Sequence, residues 1–111
     1  MTITNAFASL AVRDLAAASP WYERLLGPGT RTLPMVIEWR LADGGGLQVY
    51  AGPERAGAGS CTFIVNDIDE TAERLRTSGV IADPQVAHHD EVDTIMIKDP
   101  DGNSIAFAAP R

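Results

Sequence analysis

Several groups of residues in this chain are of types that perform chemistry. The densest is the run His88, His89, Asp90 and Glu91, whose imidazoles and carboxylates could bind a metal or carry protons. Glu38 and Arg40 alternate in Val-Ile-Glu-Trp-Arg-Leu, so on a strand they share one face, where a carboxylate can act as a general base and a guanidinium can hold an anion. Asp43-Gly44-Gly45-Gly46 has the glycine content of a phosphate cradle, and Cys61 is the single thiol.

Each of these has a plainer reading. The histidine run falls between extended segments, where adjacent side chains diverge, and a solvated loop accounts for it. Glu38 and Arg40 also read as an exposed pair on a solvated sheet, nearly neutral in energy. The glycine run lacks the Lys-Ser/Thr ending and the following helix of a phosphate loop, which leaves a hairpin turn. Cys61 has no partner for an intrachain disulfide or a Cys-x-x-Cys metal site, and its apolar setting suits a small buried hydrophobe. Neither histidine is near a glycine-flanked serine, so no Ser-His-Asp nucleophile emerges, and Glu38 is the one candidate base.

The bulk properties narrow the classes further. A chain of 111 residues is the size of one domain and can bury roughly two thirds of its unfolded surface without staples. Nine Lys and Arg against 15 Asp and Glu give a formal charge of −6, which disfavours nucleic acid and anionic membrane as partners and tolerates a neutral or cationic small ligand. The first residues lack a basic stretch followed by a long apolar one, and no run approaches the ~18 residues of a membrane span, so the expectation is a soluble, cytoplasmic protein.

The elements that must position these residues occur twice in the same order. Residues 6–12 read as a strand, 14–27 as a helix closing at Gly27, and 31–52 as extended segments joined by the glycine turn. Residues 60–66, 67–79, 80–89 and 91–109 then repeat strand, helix and strands. Val12 and Asp14 recur as Val65 and Asp67, while Asp43 and Gly44 recur as Asp101 and Gly102. The pattern is two βαβββ modules, 1–52 and 59–111, joined by an exposed linker at 53–58, within a single domain. In the second helix Asp67 and Glu70 have capping-box spacing, and Gly79 ends the helix. In the first, Pro20 predicts either a kink or a fresh helix capped by Ser19. Asp99-Pro100-Asp101-Gly102-Asn103 supplies a hairpin turn between two apolar runs.

Leu10–Gly27, Phe63–Gly79 and the closing Lys98–Phe107 together resemble the vicinal oxygen chelate superfamily, the group of glyoxalases, bleomycin-resistance proteins and extradiol dioxygenases. The resemblance covers nearly the whole chain. It implies an α+β fold in which tandem βαβββ modules form curled mixed sheets, or half-barrels, with helices on the outer face and a cup inside. It also implies a divalent metal held by a His seven residues before each strand-ending Asp and by a Glu in the last strand of each module. Those positions are occupied here by Phe7, Ser60, Gln48 and Ala106. A metal needs three or four converging N, O or S donors, so the resemblance extends to a member lacking the metal site, with no cofactor expected.

If Phe7, Gln48, Ser60 and Ala106 face the cup, strand alternation places Ser9, Ala11, Tyr50, Thr62, Ile64, Ser104 and Ala108 beside them. Leu10, Val12, Leu47, Val49, Phe63, Val65, Ile105 and Phe107 then face the helices, a uniformly apolar set. Glu38 and Arg40 join the cup by the same parity, as do Thr94 and Met96, while Trp21 and Tyr22 read as core. The ligand-contacting candidates are thus Phe7, Glu38, Arg40, Gln48, Tyr50, Ser60, Thr62, Met96 and Ala106, with Gln48 and Tyr50 equally suited to a dimer contact.

The leading expectation is a metal-independent, non-catalytic protein that binds a small molecule, resembling antibiotic-sequestering members of the family and forming a homodimer. An enzyme of the same superfamily, a lyase, isomerase or dioxygenase with Glu38 as base, is the first alternative. A dimeric interaction module is the second.

Overall fold

A computed structural model describes all residues, Met1–Arg111. The chain runs β1 (Phe7–Val12), α1 (Leu15–Leu26), β2 (Thr30–Leu33), β3 (Val36–Arg40), β4 (Gly46–Ala51), then β5 (Ser60–Ile64), α2 (Ile68–Ser78), β6 (Val86–His88), β7 (Val92–Lys98) and β8 (Ser104–Pro110). Two four-stranded mixed sheets result, ordered β1-β4-β3-β2 and β5-β8-β7-β6. In each, the strand before the helix pairs parallel with the last strand of its half, and the other pairings are antiparallel. The sheets are curled and unclosed, and the fold is α+β.

Alternation along the strands decides which face the helices cover. Leu10 and Val12, Ile37 and Trp39, Leu47 and Val49 point to one side of the first sheet, and Phe63, Ile95, Ile97, Ile105 and Phe107 to the equivalent side of the second; all are buried. α1 packs on β3 and β4, α2 on β6, β7 and β8, and the helices touch one another, so both halves share one apolar core. Trp21 and Tyr22 belong to it, with their rings edge to face at 4.9 Å. Trp39 Nε1 donates to the Gly27 carbonyl at 2.8 Å, which ties the end of α1 to β3.

The helix ends depart from expectation in two details. α1 runs unbroken through Pro20 with Asp14 as its cap, and Ser19 donates to Glu23 at 2.8 Å instead of opening a new helix. The ring thus sits in the helix interior, where its missing N–H leaves one turn without its bond. In α2 the Asp67 carboxylate accepts from Glu70 N at 3.0 Å, but the Glu70 side chain turns forward to Arg74, so the cap is one-sided. Ala11, expected on the open face, is buried beneath the connection between the halves.

The two halves are joined by the turn at 99–103. Asp99 is buried and accepts from Asp101 N and Asn103 N within the turn, then from Asn103 Nδ2 and, across the junction, from the Tyr22 hydroxyl at 2.6 Å. Asn103, also buried, donates to the Ala11 carbonyl at 2.8 Å and accepts from Gly59 N at 2.9 Å. One turn therefore holds β1, α1 and the start of β5. The connection presses on the same turn: a Cβ on Gly57, whose φ is +86°, would lie 2.3 Å from the Asp101 carbonyl oxygen.

Burial and then the Asp99 hydrogen bond raise the Tyr22 pKa far above that of a free phenol. A group whose folded pKa is raised contributes stability that is complete below its unfolded pKa, about 10 for tyrosine, and that is lost as pH climbs from there toward the folded value. Tyr22→Phe is expected to cost about 2 kcal/mol at pH 7, one hydrogen bond to a carboxylate, and to flatten the loss of stability above pH ~10 in urea titrations. Asp99→Ala strands several buried donors and is expected to cost about 3 kcal/mol or more. Equal alkaline sensitivity of Tyr22→Phe and the parent would show that another group governs it.

Candidate functional site

The faces turned away from the helices carry the candidate residues. In the first sheet, register sets three rows across β3, β4 and β1: Arg40, Gly46 and Phe7; Glu38, Gln48 and Ser9; Val36, Tyr50 and Ala11. The first row works because its middle position is glycine. A Cβ on Gly46 would lie 2.5 Å from Phe7 Cε2, so the Phe7 ring lies across β4 and reaches Arg40, whose guanidinium stands 5.5 Å from the ring centroid. Glu38 holds the same guanidinium at 3.3 Å. The Glu38 side chain is largely shielded, whereas that of Arg40 is 73% exposed and presents a planar cation to solvent.

Gln48 completes the group. Ser9 donates to Gln48 Oε1 at 3.0 Å, which fixes the amide and points its NH2 away as a free donor. Phe7, Glu38, Arg40 and Gln48 therefore form one patch, and Tyr50 lies a row further on. Tyr50, Ser9 and Ala11 line a cavity of about 290 Å³ closed by Glu54, Arg55, Ala58 and Gly59 of the connection between the halves. Glu38 and Arg40 also border a cavity of about 360 Å³ with Thr30, Thr32 and Pro28.

In the second sheet the rows are Ser60, Ser104 and Lys98, then Thr62, Ala106 and Met96, then Ile64, Ala108 and Thr94. Ser60 and Thr62 are exposed, and Met96 and Ile64 are 65% and 70% exposed. This is an open surface of mixed character, with Met96 and Ile64 as its large exposed apolar side chains. Thr62 additionally lines a cavity of about 580 Å³ at the far end of the junction, with Leu26, Leu41, Ile64, Val65 and Phe107. The candidates consequently divide between a charged patch around Arg40 on one sheet and the uncharged Ser60, Thr62, Met96 and Ala106 on the other. Glu54 and Arg55 carry no signal in residue type or alternation, because their place depends on what lies opposite them in space.

The histidines diverge. His88 ends β6, and its Nδ1 is 2.7 Å from Asp93 Oδ1 and 3.2 Å from an Arg111 guanidinium nitrogen. Arg111 binds the same carboxylate oxygen, and these two partners, Arg111 first, hold the Asp93 carboxyl below its ordinary pKa. His89 turns the other way, to Thr94 Oγ1 at 3.2 Å. Cys61 is half-buried, and burial, then Asp99, pushes its thiol up to about 11, away from nucleophilic use.

A divalent metal does not fit the residues present. The four positions at which the resemblance implies ligands hold a phenyl ring, an amide, a hydroxyl and a methyl group, and no three His, Cys, Asp or Glu side chains anywhere in the chain are grouped to hold an ion.

The profile of the glyoxalase/bleomycin resistance protein/dioxygenase superfamily matches residues 4–107. Among solved structures, the chain is similar to a glyoxalase/bleomycin resistance protein from Catenulispora acidiphila, with 33% identity, a TM-score of 0.85, and coverage of 98% of this chain and 100% of that one. It is also similar in fold to a bleomycin resistance determinant encoded on the transposon Tn5, at 18% identity and a TM-score of 0.77 over 98% of this chain and 99% of that one. An antibiotic-binding protein from a Streptomyces species shares 22% identity and a TM-score of 0.77 over 100% of this chain and 99% of that one. No curated protein matches.

Gly46→Ala is expected to destabilise the protein by about 1–3 kcal/mol, because the added methyl meets both the Phe7 ring and, at 2.5 Å, the Trp39 carbonyl oxygen. Denaturant unfolding measures this. Phe7→Ala in the same background should recover only part of the loss, since the carbonyl remains; full recovery would mean that the ring alone sets the constraint.

Proposed function

The chain belongs to the glyoxalase/bleomycin resistance protein/dioxygenase superfamily, and from that premise we propose that it is a metal-independent, non-catalytic protein that binds a small molecule on its concave surface. The carrying observation is the patch in which Arg40, stacked on Phe7 and paired with Glu38, stands beside the free amide donor of Gln48. An exposed guanidinium braced on one side by a ring and a carboxylate offers its open side to a planar group, and Gln48 offers a hydrogen bond to an acceptor on that group. The reading is supported by relatives of the same fold that are named for bleomycin resistance and antibiotic binding. A planar antibiotic or similar metabolite suits the site.

A second copy of the chain completes the cup in this reading. The exposed Met96 supplies an apolar surface that another chain's first sheet could cover, enclosing the Arg40 patch. The ligand then sits between copies.

The test is calorimetry of the purified protein with bleomycin and a panel of planar aromatic antibiotics, alongside titration of Ni2+, Zn2+, Mn2+ and Fe2+. Trp21 and Trp39 are both buried on the helix side, so tryptophan fluorescence is a poor reporter. Saturable binding with the ligand recovered unchanged, weakened about tenfold or more by Arg40→Ala and by Gln48→Ala, is the expected result. Turnover of a ligand, or one tightly held ion per chain, would replace this reading with the enzymatic one.

A further inference from the structure

The two sheet-ending turns of the chain are built alike yet close the junction differently. In the first, Leu41 N donates to Gly45 O at 3.1 Å and Gly44 N to Leu41 O at 3.3 Å; in the second, Asp99 N donates to Asn103 O at 3.0 Å and Gly102 N to Asp99 O at 3.0 Å. Gly44 and Gly102 have φ of 101° and 100°. Leu41 thus holds the place of Asp99, and Gly45 that of Asn103. Counted from the helix caps Asp14 and Asp67, Leu75 holds the place of Tyr22. Asp99, Asn103 and Tyr22 thus each have an apolar or side-chain-free counterpart at the opposite end, where Asn5 Oδ1 instead accepts from Ala6 N and Gly45 N. There, the cavity of about 580 Å³ remains between the 41–45 turn, the end of α1 and the end of β5.

We propose that this cavity, which shares Leu26 and Leu41 with the cavity beside Glu38 and Arg40, is a second binding site for a small apolar molecule bearing one cationic group. Its walls are Leu26, Leu41, Ile64, Val65 and Phe107, and its volume is in the usual range for small-molecule pockets. Leu41 and Ile64 are 42% and 70% exposed, so apolar surface now facing water would be covered by such a ligand. Asp43 is the one charged side chain of the lining, and it forms no ion pair within the chain. A neighbouring cavity between the helices shares Val65 and Phe107, and there Glu70 and Arg74 pair with each other, as Glu73 does with Arg76, leaving Arg24 unpaired on that side. A ligand cation is therefore directed toward Asp43 and away from Arg24.

Three probes sharing one ring system separate shape from charge: (2-naphthylmethyl)trimethylammonium, 2-naphthalenemethanol and 2-naphthoate. Amide shifts of the full chain in two-dimensional NMR are followed as each is added. Saturable shifts at Leu41, Ile64, Val65 and Phe107, with the cation bound about fivefold more tightly than the alcohol and the anion most weakly, are expected. Asp43→Asn should abolish the preference for the cation without unfolding an exposed turn, and Ile64→Ala should weaken all three probes. The proposal is overturned by shifts confined to Phe7, Arg40 and Gln48, which would leave only the concave site, or by no saturable shift. It is equally overturned if the cavity signals move with protein concentration alone, because a second copy would then cover it.

Discussion

Asp99 is the group on which the arrangement of the two halves depends. Its carboxylate is buried, and its acceptor capacity is filled from both sides of the junction, by Tyr22 of the first half and by the backbone and Asn103 of its own turn. A buried carboxylate without those donors would be costly, so the donors must be where they are for the fold to be stable. That requirement fixes how α1 leans on the second half and, through Asn103, where β1 ends and β5 begins. No buried side-chain nitrogen or oxygen lacks a partner, which makes the clamp a complete network.

Because the clamp and the shared core occupy the helix side, the opposite faces of the sheets are left free. Glycine at position 46 converts one such face from a row of separate side chains into a contact between Phe7 and Arg40 across a strand. The second sheet carries no comparable polar grouping, and its Met96 and Ile64 are exposed beside alanine and threonine. The two faces thus differ in chemistry although they derive from the same pattern of elements: one carries the Arg40 patch, the other the exposed Met96 and Ile64.

The same repeat explains why the junction has unlike ends. Backbone bonds in the two turns match, yet Leu41 and Gly45 stand where the clamp has Asp99 and Asn103. The backbone geometry matches while the side chains differ, so one turn ties α1, β1 and β5 together and the other is held to the start of β1 by Asn5 and borders a cavity. The positions at which the resemblance implies metal ligands hold Phe7, Gln48, Ser60 and Ala106.

The amino-acid sequence by itself determined the order of elements, the parity of β1, β3, β4, β5, β7 and β8 and the apolar face, because these follow from local periodicity, from the cap at Asp67 and from turn residues at 99–103. It also placed Glu38, Arg40, Gln48 and Phe7 on one face, since parity propagates along a strand. What only the tertiary structure decided are relations between residues distant in the chain. That Asp99 meets Tyr22, that Gly46 admits the Phe7 ring, that the connection covers Ala11 and that Thr62 borders a cavity with Leu41 all depend on how curled sheets and helices meet. Periodicity carries the direction in which a side chain points, whereas the partner it finds there is set by packing between halves that the local pattern does not encode.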